Sequence, residues 1–428
     1  NHPLRIEDWN YPSAREGREP PKGYTNAHLT NRFSEIYENE RSDLWQENLE
    51  KKVNYPYYGF ESVLFTTGHG DTVGGHYRKW VIDRYKDFDN LIGPGNALPS
   101  NNYIAPQAWR TAVPEELYST EYVAENTIKF LKNYAGSAKD KPFFVQCSFP
   151  DPHHPFVPPG KYWDMYDPSD CDVSASLGCN LVDPPPFQKV LHEQFIAGKR
   201  ESRVAAYACN EREARESTAL TYGMISCVDD AVGRILSELK VAGLDRNTVI
   251  IFTSDHGDLM GDHGLMLKHC FHNEGLIRVP FIWSDPDQKF DGNRTDLVSG
   301  TIDISASILA RAGLSPYHGI QGFDCISAVV KNEQLPRLGI IVEEDEIPFN
   351  ANCGHFMRTR SFVTERWRMT YWMEHQFGEL YDHYNDPTEV NNLWRDSSAA
   401  SDKALLLEML MHERIALDDM SPKALYCA

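Results

Sequence analysis

The chain has 428 residues, too many for one small domain and enough for a large α/β domain with a smaller one beside it. Its 41% apolar and 24% charged residues are ordinary globular usage, which argues against a disordered chain. Acidic residues outnumber basic ones by 62 to 42, and the net charge of -20 argues against nucleic acid as the main partner. No apolar run is long enough to span a bilayer, and the nine cysteines contain no CxxC pair, which excludes zinc-ribbon and thioredoxin-type sites.

The N-terminal part of the chain is polar and Pro-rich up to about residue 60, which predicts a surface segment that wraps the core. One helix is predicted near residues 31–51 and one short strand at residues 62–67. A Gly-rich loop follows, and it carries a histidine at each end, His69 and His76.

Apolar patterns predict two helices and three buried strands in the middle of the chain. The helices are expected where apolar side chains recur at helical spacing, at residues 120–134 and 216–241. The strands are expected at short apolar runs, namely residues 142–149 (PFFVQCSF), 248–253 (TVIIFT) and 279–283 (VPFIW). This alternation predicts an α/β sandwich built on a large, mainly parallel central sheet.

After about residue 335 the pattern changes to that of a smaller α+β subdomain with a short antiparallel sheet. Strands are predicted at residues 340–342, 361–364 and 368–372, and a helix at 402–417. An acidic run at residues 343–346 is interpreted as a solvated turn, with a second cation site as the minor alternative. The predicted domains are therefore residues 1–334 and 335–428.

Asp255 and His256 are the clearest candidates for a functional site, and they follow the predicted strand at residues 248–253. Open α/β sheets place ligands at the carboxyl ends of their strands, and a turn there can direct both side chains at one ion. Carboxylate oxygen and imidazole nitrogen both bind divalent metals, and Gly257 is expected to let the backbone turn sharply. Alone, Asp-His-Gly is also typical of a strand-end turn in which the aspartate caps the next segment.

The longer run TSDHGDLMGDHGLMLKHCFHNEGLIRVPFIW resembles the signature of the sulfatase family, within the alkaline-phosphatase superfamily. The shared order is a strand, Ser-Asp-His-Gly, Gly-Asp-His-Gly, a lysine, a glutamate and Ile-Arg-Val-Pro before a second strand. Further segments that resemble the family are Pro142-Phe143-Phe144, Pro152-His153-His154-Pro155-Phe156, Glu379-Leu380-Tyr381-Asp382 and Asn385-Asp386-Pro387-Thr388-Glu389. The resemblance covers most of the chain and implies an alkaline-phosphatase-like fold.

The resemblance implies roles for four side chains. Asp255 and His256 would be metal ligands, and Lys268 would contact a sulfate oxygen, where negative charge gathers in the transition state. His153 would contact the sulfate or protonate the leaving alcohol, and it is preferred over His154 because the family pattern is Pro-His-x-Pro-Phe. One divalent cation is expected, Ca²⁺ first, with Mn²⁺ or Zn²⁺ left open by the histidine ligand.

Several neighbouring side chains are expected to play supporting roles. His263 is expected to fix the loop after the metal ligands, and Glu274 and Arg278 are expected to form a buried or half-buried pair that holds it. The two histidines of the Gly-rich loop, His69 and His76, are candidates for shaping substrate specificity rather than catalytic groups.

The family's nucleophile, a formylglycine made within Cys/Ser-x-Pro/Ala-x-Arg, has no counterpart in the chain. The paired aspartates that follow the family's first strand and its Gly-Lys-x-His motif are not found either, so all three are expected upstream of Asn1. The main domain is therefore expected to be incomplete, and the chain alone to be inactive. It is also expected to need its N-terminal segment for stability, because flanking strands would otherwise expose unpaired edges.

The expected activity is metal-dependent hydrolysis of a sulfate ester, in a sulfated small molecule or carbohydrate, to an alcohol and inorganic sulfate. One alternative is a phosphonate monoester or phosphodiester hydrolase of the same superfamily, with Mn²⁺ or Zn²⁺ as the ion. Another is a non-catalytic relict that binds a sulfated ligand. The particular substrate, the compartment and assembly into a homo-oligomer stay open.

Overall fold

A computed structural model describes residues 39, 42–100, 103–137, 141–200, 206–268, 270–288, 292, 294–317, 319–346, 357–373 and 377–418. The α-helices within these ranges are α1 (Ser42–Glu47), α2 (His76–Arg84), α3 (Ser119–Gly136), α4 (Pro186–Ile196), α5 (Glu211–Val241), α6 (Glu274–Ile277), α7 (Ile302–Arg311), α8 (Cys325–Lys331) and α9 (Ala400–Ala416). The strands are β1 (Thr66–Thr67), β2 (Gly74–Gly75), β3 (Tyr207–Ala208), β4 (Ile250–Thr253), β5 (Leu265–Met266), β6 (Phe281–Ser284), β7 (Ile340–Glu346), β8 (Met357–Val363), β9 (Trp367–Trp372) and β10 (Phe377–Asp382). None of the described helices is long and apolar enough to cross a membrane.

The chain divides into two compact units, each built from separate stretches. The first unit takes in Asn1–Val173, Cys209–Ile250 and Trp283–Gln288. The second unit takes in Ser174–Ala208, Ile251–Ile282 and Lys289–Ala428. The units interleave along the chain, and the predicted division at residue 334 stays a prediction.

Helices α3 and α5 form the centre of the first unit, and both were predicted from their apolar spacing. Leu131 of α3 and Leu239 of α5 share one buried cluster with Leu244. Helix α5 begins earlier than predicted because Asn210 caps it: the Asn210 side chain accepts the N–H of Glu213, and the Glu213 carboxylate accepts the N–H of Asn210. The predicted helix at residues 31–51 lies partly outside the described residues, and α1 is the part that the structure describes.

The predicted strand at residues 142–149 is wrong, because this segment has no regular secondary structure. Its side chains still alternate: Phe143 packs on the leucine cluster of α3 and α5, whereas Phe144 is 64% exposed. Only the end of the predicted strand at residues 62–67 is paired, as β1 with β2. An extended segment becomes a strand only when its N–H and C=O groups meet another strand, and an apolar pattern does not supply that partner. The strands predicted at residues 248–253 and 279–283 do form, as the paired strands β4 and β6.

The second unit contains a four-stranded antiparallel sheet in the order β10-β9-β8-β7. Helix α9 contributes Leu406 to a core cluster with Phe362 of β8, Met369 of β9 and Leu380 of β10. The short antiparallel sheet and closing helix predicted for the C-terminal part are thus confirmed.

The acidic run at residues 343–346 is part of β7 and not the solvated turn that was expected. Across the ladder, Arg360 of β8 binds Glu343 at 2.8 Å and Asp345 at 2.9 Å. Arg414 of α9 pairs with Glu343 as well. Because arginines pair with Glu343 and Asp345, the charge of these two residues is explained without a second cation site.

A buried ion cluster in the second unit is centred on Arg368 of β9, whose side chain is 0% exposed. Its guanidinium donates to Glu389 at 2.5 Å and to Glu379 at 3.2 Å. Glu389 also lies 2.9 Å from His383 Nε2 and accepts the side-chain N–H of Asn273 at 3.1 Å. Glu389 thereby ties the C-terminal sheet to the residue that precedes α6.

This cluster is expected to lose stability in acid because of Glu389. Burial alone would raise the pKa of Glu389, but Arg368 and His383 lower it from 4.5 to about 2. Since the folded-state pKa is depressed, the contribution of Glu389 is present above pH 4.5 and is lost as the pH falls towards 2. Over this range the free energy of unfolding should fall more steeply in the wild type than in Glu389→Gln, by up to about 1.4 kcal/mol per pH unit. Urea unfolding at successive pH values measures both slopes, and equal slopes would contradict this role.

Candidate active site

Asp255 and His256 lie in the turn that follows β4. Short local bonds close this turn: the N–H of His256 donates to Asp255 Oδ1 at 2.9 Å, and Ser254 Oγ donates to the His256 carbonyl at 2.9 Å. The Asp255 side chain is 57% exposed, the His256 side chain is 21% exposed, and Asp255 Oδ2 lies 3.6 Å from His256 Nε2. The turn therefore presents a carboxylate and an imidazole to one small region.

Gly257, the next residue, is required for space and not for backbone freedom. It is not among the glycines with positive φ, so the left-handed backbone region is not the reason for a glycine here. A Cβ at this position would lie 2.0 Å from the carbonyl O of Gly275 in α6. The Gly257 N–H donates to the carbonyl of Leu276 at 2.7 Å, and this bond holds Gly257 against the backbone of α6. The turn that carries Asp255 and His256 is thus packed closely against the main chain of α6.

Replacing Gly257 by alanine is expected to displace this turn, because the backbone carbonyl it would meet cannot move aside as a flexible side chain can. We expect the free energy of unfolding to fall by about 1–3 kcal/mol, as for other overpacked sites. Gly233→Ala is the matched control: Gly233 lies within α5, an added Cβ meets nothing within 4 Å, and the helix should gain up to about 1 kcal/mol. Denaturant unfolding measures both variants, and an unchanged midpoint for Gly257→Ala would contradict the close approach.

His256 and Lys268 are in direct contact. His256 Nδ1 lies 2.7 Å from the carbonyl O of Gly257, which can only accept, so Nδ1 carries the proton and Nε2 carries a lone pair. Lys268 Nζ lies 3.2 Å from that Nε2 and donates to it. Burial, and then the ammonium of Lys268, lower the pKa of His256. The imidazole is therefore kept neutral, which is the form that binds a metal.

Asp258 holds the segment that carries Lys268, a role that the sequence analysis did not assign. Its Oδ1 accepts the N–H of Met260 at 3.1 Å and the N–H of Leu267 at 3.0 Å. Burial raises the pKa of Asp258 to about 6, although both N–H groups and Lys268 favour the charged form. Asp258 is the last residue of the motif Ser-Asp-His-Gly-Asp, so the sequence could have singled it out. Its hydrogen bond to the N–H of Leu267 cannot be deduced from spacing.

The loop closed by Asp258 has a strained backbone, since Met260, His263 and Leu267 have φ values of 44°, 53° and 69°. Such conformations cost of the order of 1–3 kcal/mol each and persist only where the surroundings impose them. His263 is held in this way: its N–H donates to Ser176 Oγ at 2.8 Å, and its ring, in a residue only 4% exposed, contacts the carbonyl of Thr388 at 3.2 Å. These contacts agree with the expected role of His263 in fixing the loop.

The expected Glu274–Arg278 pair is not buried. The two groups are 3.3 Å apart, but the Arg278 side chain is 81% exposed and the Glu274 side chain is 30% exposed. A surface pair at this helical spacing contributes only about 0.2–0.5 kcal/mol. The start of α6 is held instead by Asn273, whose side-chain amide donates to Glu389 of the buried ion cluster.

The second unit supplies two donors for a divalent cation, the Asp255 carboxylate and His256 Nε2. Across the described residues, no three His, Cys, Asp or Glu side chains form a metal-binding group. A carboxylate oxygen and a neutral imidazole fit a cation that takes its further ligands from elsewhere. Lys268, which now donates to His256 Nε2, would have to turn away from it for the ion to bind.

His153 lies in the first unit, in the loop that follows residues 142–149. Its Nδ1 is 2.5 Å from the carbonyl O of His154, so Nδ1 carries a proton. His154 is 7% exposed whereas His153 is half-buried, which favours His153 as the residue that reaches a ligand. Asp255, His256 and Lys268 are thus brought together in one unit, and His153 belongs to the other.

Family models match most of the chain. The model described as Sulfatase matches residues 33–314, more than half of the chain, and this range contains all four of the proposed site residues. A second model, described as N-sulphoglucosamine sulphohydrolase, C-terminal, matches residues 261–416. The two matches together extend from before α1 to the end of α9.

Curated relatives are similar over large parts of their length. The chain is 28% identical over 320 residues to an arylsulfatase of Clostridium perfringens, which covers 74% of this chain and 61% of that protein. It is 23% identical over 420 residues to an N-acetylglucosamine-6-O-sulfatase of Bacteroides thetaiotaomicron, covering 85% of this chain and 73% of that protein. The chain therefore spans less than two thirds of the arylsulfatase.

Solved structures show the same fold. A phosphonate monoester hydrolase of Agrobacterium radiobacter has a TM-score of 0.67 at 23% identity, covering 87% of this chain and 76% of that one. A protein in complex with its substrate D-glucosamine-2-N,6-O-disulfate has a TM-score of 0.58 at 19% identity, covering 71% of each chain. At these identities the likeness shows the fold alone, and it confirms the predicted α/β class. With the family match over residues 33–314, the chain belongs to the sulfatase family of the alkaline-phosphatase superfamily.

Proposed function

We propose that the protein containing this chain hydrolyses a sulfate ester to an alcohol and inorganic sulfate. The observation that supports this best is the contact of Lys268 with His256, an ammonium 3.2 Å from a neutral imidazole that is adjacent to the Asp255 carboxylate. A cation and an ammonium in one place suit a sulfate group, because both stabilise the oxygens on which negative charge gathers.

Asp255 and His256 would hold a divalent cation, and Ca²⁺ is the ion we propose. When bound, the ion supplies a Lewis acid that polarises the sulfate and orients it. The oxygen ligand fits calcium, while the imidazole also suits Mn²⁺ or Zn²⁺, which we associate with the phosphonate hydrolase alternative. Lys268, released from His256 Nε2, would then contact a sulfate oxygen as a point charge.

His153 would protonate the leaving alcohol from Nε2, since Nδ1 already donates to the carbonyl of His154. A hydrated formylglycine would supply the nucleophile of the complete enzyme. None of the nine cysteines of the chain lies in Cys-x-Pro/Ala-x-Arg, so these 428 residues do not themselves offer that group.

The substrate class we propose is a sulfated carbohydrate or another sulfated small molecule. One relative is an N-acetylglucosamine-6-O-sulfatase, and one structural neighbour is bound to D-glucosamine-2-N,6-O-disulfate. A negative protein can still bind such an anion, because a local cationic pocket outweighs a net charge of -20 at short range.

The test compares rates of the full-length protein on nitrophenyl sulfate, on a sulfated glucosamine and on a nitrophenyl phosphonate ester, each with Ca²⁺ and with Mn²⁺. We expect kcat/KM to be larger for the sulfate esters and to be supported by Ca²⁺. A larger kcat/KM for the phosphonate with Mn²⁺ would establish the alternative hydrolase. Tight binding of the sulfated sugar without turnover of any ester would establish a binding protein instead.

A further inference from the structure

His69 and His153 form a stacked pair of imidazoles in the first unit. The ring centroids are 3.5 Å apart and the ring planes differ by 13°. His69 lies in the Gly-rich loop between β1 and α2, far from His153 in sequence, and both residues are half-buried. Parallel stacking at this distance leaves the His153 ring little freedom to turn.

The loop that carries His69 is built against the segment that follows His153. Gly70 has a φ of 59°, and a Cβ on it would lie 2.6 Å from Cγ of Pro155 and 3.0 Å from Cγ2 of Val157. Any larger residue at this position would push the loop, and His69 with it, away from the Pro-His-His-Pro segment. The stack therefore follows from close packing of two main-chain segments.

A buried carboxylate anchors the same loop on its other side. Asp71 is 1% exposed, and its Oδ2 accepts from the Gly93 N–H at 3.1 Å, from Trp109 Nε1 at 2.9 Å and from Thr111 Oγ1 at 2.9 Å. Three donors on one buried oxygen fix the backbone two residues after His69. Gly70 and Asp71 together thus hold the ring of His69 in place.

The His153 ring is held by a hydrogen bond as well as by the stack on His69. The Nδ1 of His153 donates to the carbonyl of His154 at 2.5 Å. This single hydrogen bond fixes the position of Nδ1, but the ring could still rotate about the line of the bond. The ring of His69 stacks on one face and hinders that rotation, and the ring of His154 also lies against His153, with centroids 4.0 Å apart. Nε2, the atom that exchanges a proton, then keeps one direction.

We propose that His69 is a positioning residue for His153 and keeps its Nε2 directed at the leaving oxygen of the substrate. This inference rests on the proposed sulfate ester hydrolysis. In the step concerned, an oxygen of the nucleophile bonds to sulfur while the bond from sulfur to the leaving oxygen breaks. The electron pair of the broken bond stays on the leaving oxygen, and the Nε2 proton of the His153 imidazolium passes to that oxygen. His153 is left neutral, and the alcohol departs uncharged.

The test uses His69→Ala and His69→Phe in the full-length protein, with an alkyl or sugar sulfate and with nitrophenyl sulfate. A nitrophenolate leaves well without a proton, so only the alkyl ester depends strongly on the acid. His69→Ala should lower kcat/KM about 10–100-fold for the alkyl ester and less than about 3-fold for nitrophenyl sulfate. His69→Phe, which restores a flat ring, should stay close to the wild type on both.

Equal losses on both esters in His69→Ala would overturn the proposal, because a general structural fault does not distinguish leaving groups. A His69→Phe variant with the same low kcat/KM on the alkyl ester as His69→Ala would also overturn the proposal, since a stacked ring would then not restore activity. A crystal structure of His69→Ala gives a readout independent of activity: the His153 ring should lose its single orientation, and an unchanged ring would overturn the proposal. Failure of the proposed function is separate, since it would show as a wild type that releases no sulfate.

Discussion

Replacing Lys268 by alanine is expected to lower kcat/KM of the full-length protein for an aryl sulfate by about 10²–10³-fold, the effect of losing one contact to a developing charge. Lys268 is half-buried, and its ammonium is held 3.2 Å from His256 Nε2. The loss should fall on kcat more than on KM, because the charge on the sulfate oxygens is largest in the transition state. Steady-state kinetics on one aryl sulfate measure both constants.

The control for this prediction is Lys189→Ala. Lys189 is an exposed lysine of α4 in the same unit, so its loss removes one positive charge from the surface without touching the candidate site. Its kcat/KM should stay within about 2-fold of the wild type, since exposed charges are screened. Similar values of kcat/KM for Lys268→Ala and the wild type would contradict the proposed contact of Lys268 with the sulfate.

Replacing Arg368 by methionine is expected to lower the free energy of unfolding by about 3–5 kcal/mol. Methionine fills much of the volume, but it leaves the carboxylates of Glu379 and Glu389 facing each other without their shared cation. Both carboxylates are nearly buried, with side chains only 3% exposed. Burial raises the pKa of Glu379, so protonation of this group would relieve some of the repulsion. Urea unfolding measures the change.

Arg395→Met is the matched control for Arg368→Met. Arg395 pairs with Asp183 at 3.1 Å in the same unit, but its side chain is 65% exposed. Losing an exposed pair should change the free energy of unfolding by less than about 1 kcal/mol. Equal losses of unfolding free energy in the two variants would mean that burial does not determine how much the Arg368 ion pairs contribute to stability.

Local features of the fold were predictable from the sequence, whereas strand pairing was not. Helices α3 and α5 follow from apolar periodicity, and the run TVIIFT does contain β4. The run PFFVQCSF has the same composition as a buried strand but forms none, because strand formation depends on a partner from a distant part of the chain. The acidic run after Val342 was also misjudged, since the arginines that pair with it lie on strand β8 and helix α9.

The same limit applies to the candidate site. Asp255 and His256 are adjacent, and Lys268 is close in sequence, so their grouping could be proposed from a motif. The stack of His69 on His153 and the contact of Asn273 with Glu389 join distant segments, and no spacing rule encodes them. The close approach at Gly257 was also not predictable from spacing, because the Gly275 carbonyl that excludes a side chain belongs to a helix further along the chain.

The most direct test of the account is hydrolysis of nitrophenyl sulfate by the full-length protein in heavy-oxygen water, with mass analysis of both products. We expect sulfate and nitrophenol in equal amounts, with the heavy oxygen in the sulfate, because the bond between sulfur and the leaving oxygen is the one that breaks. Heavy oxygen in the nitrophenol would mean that the C–O bond breaks, and the absence of released sulfate would mean that the protein does not hydrolyse this ester. Either result would contradict the account.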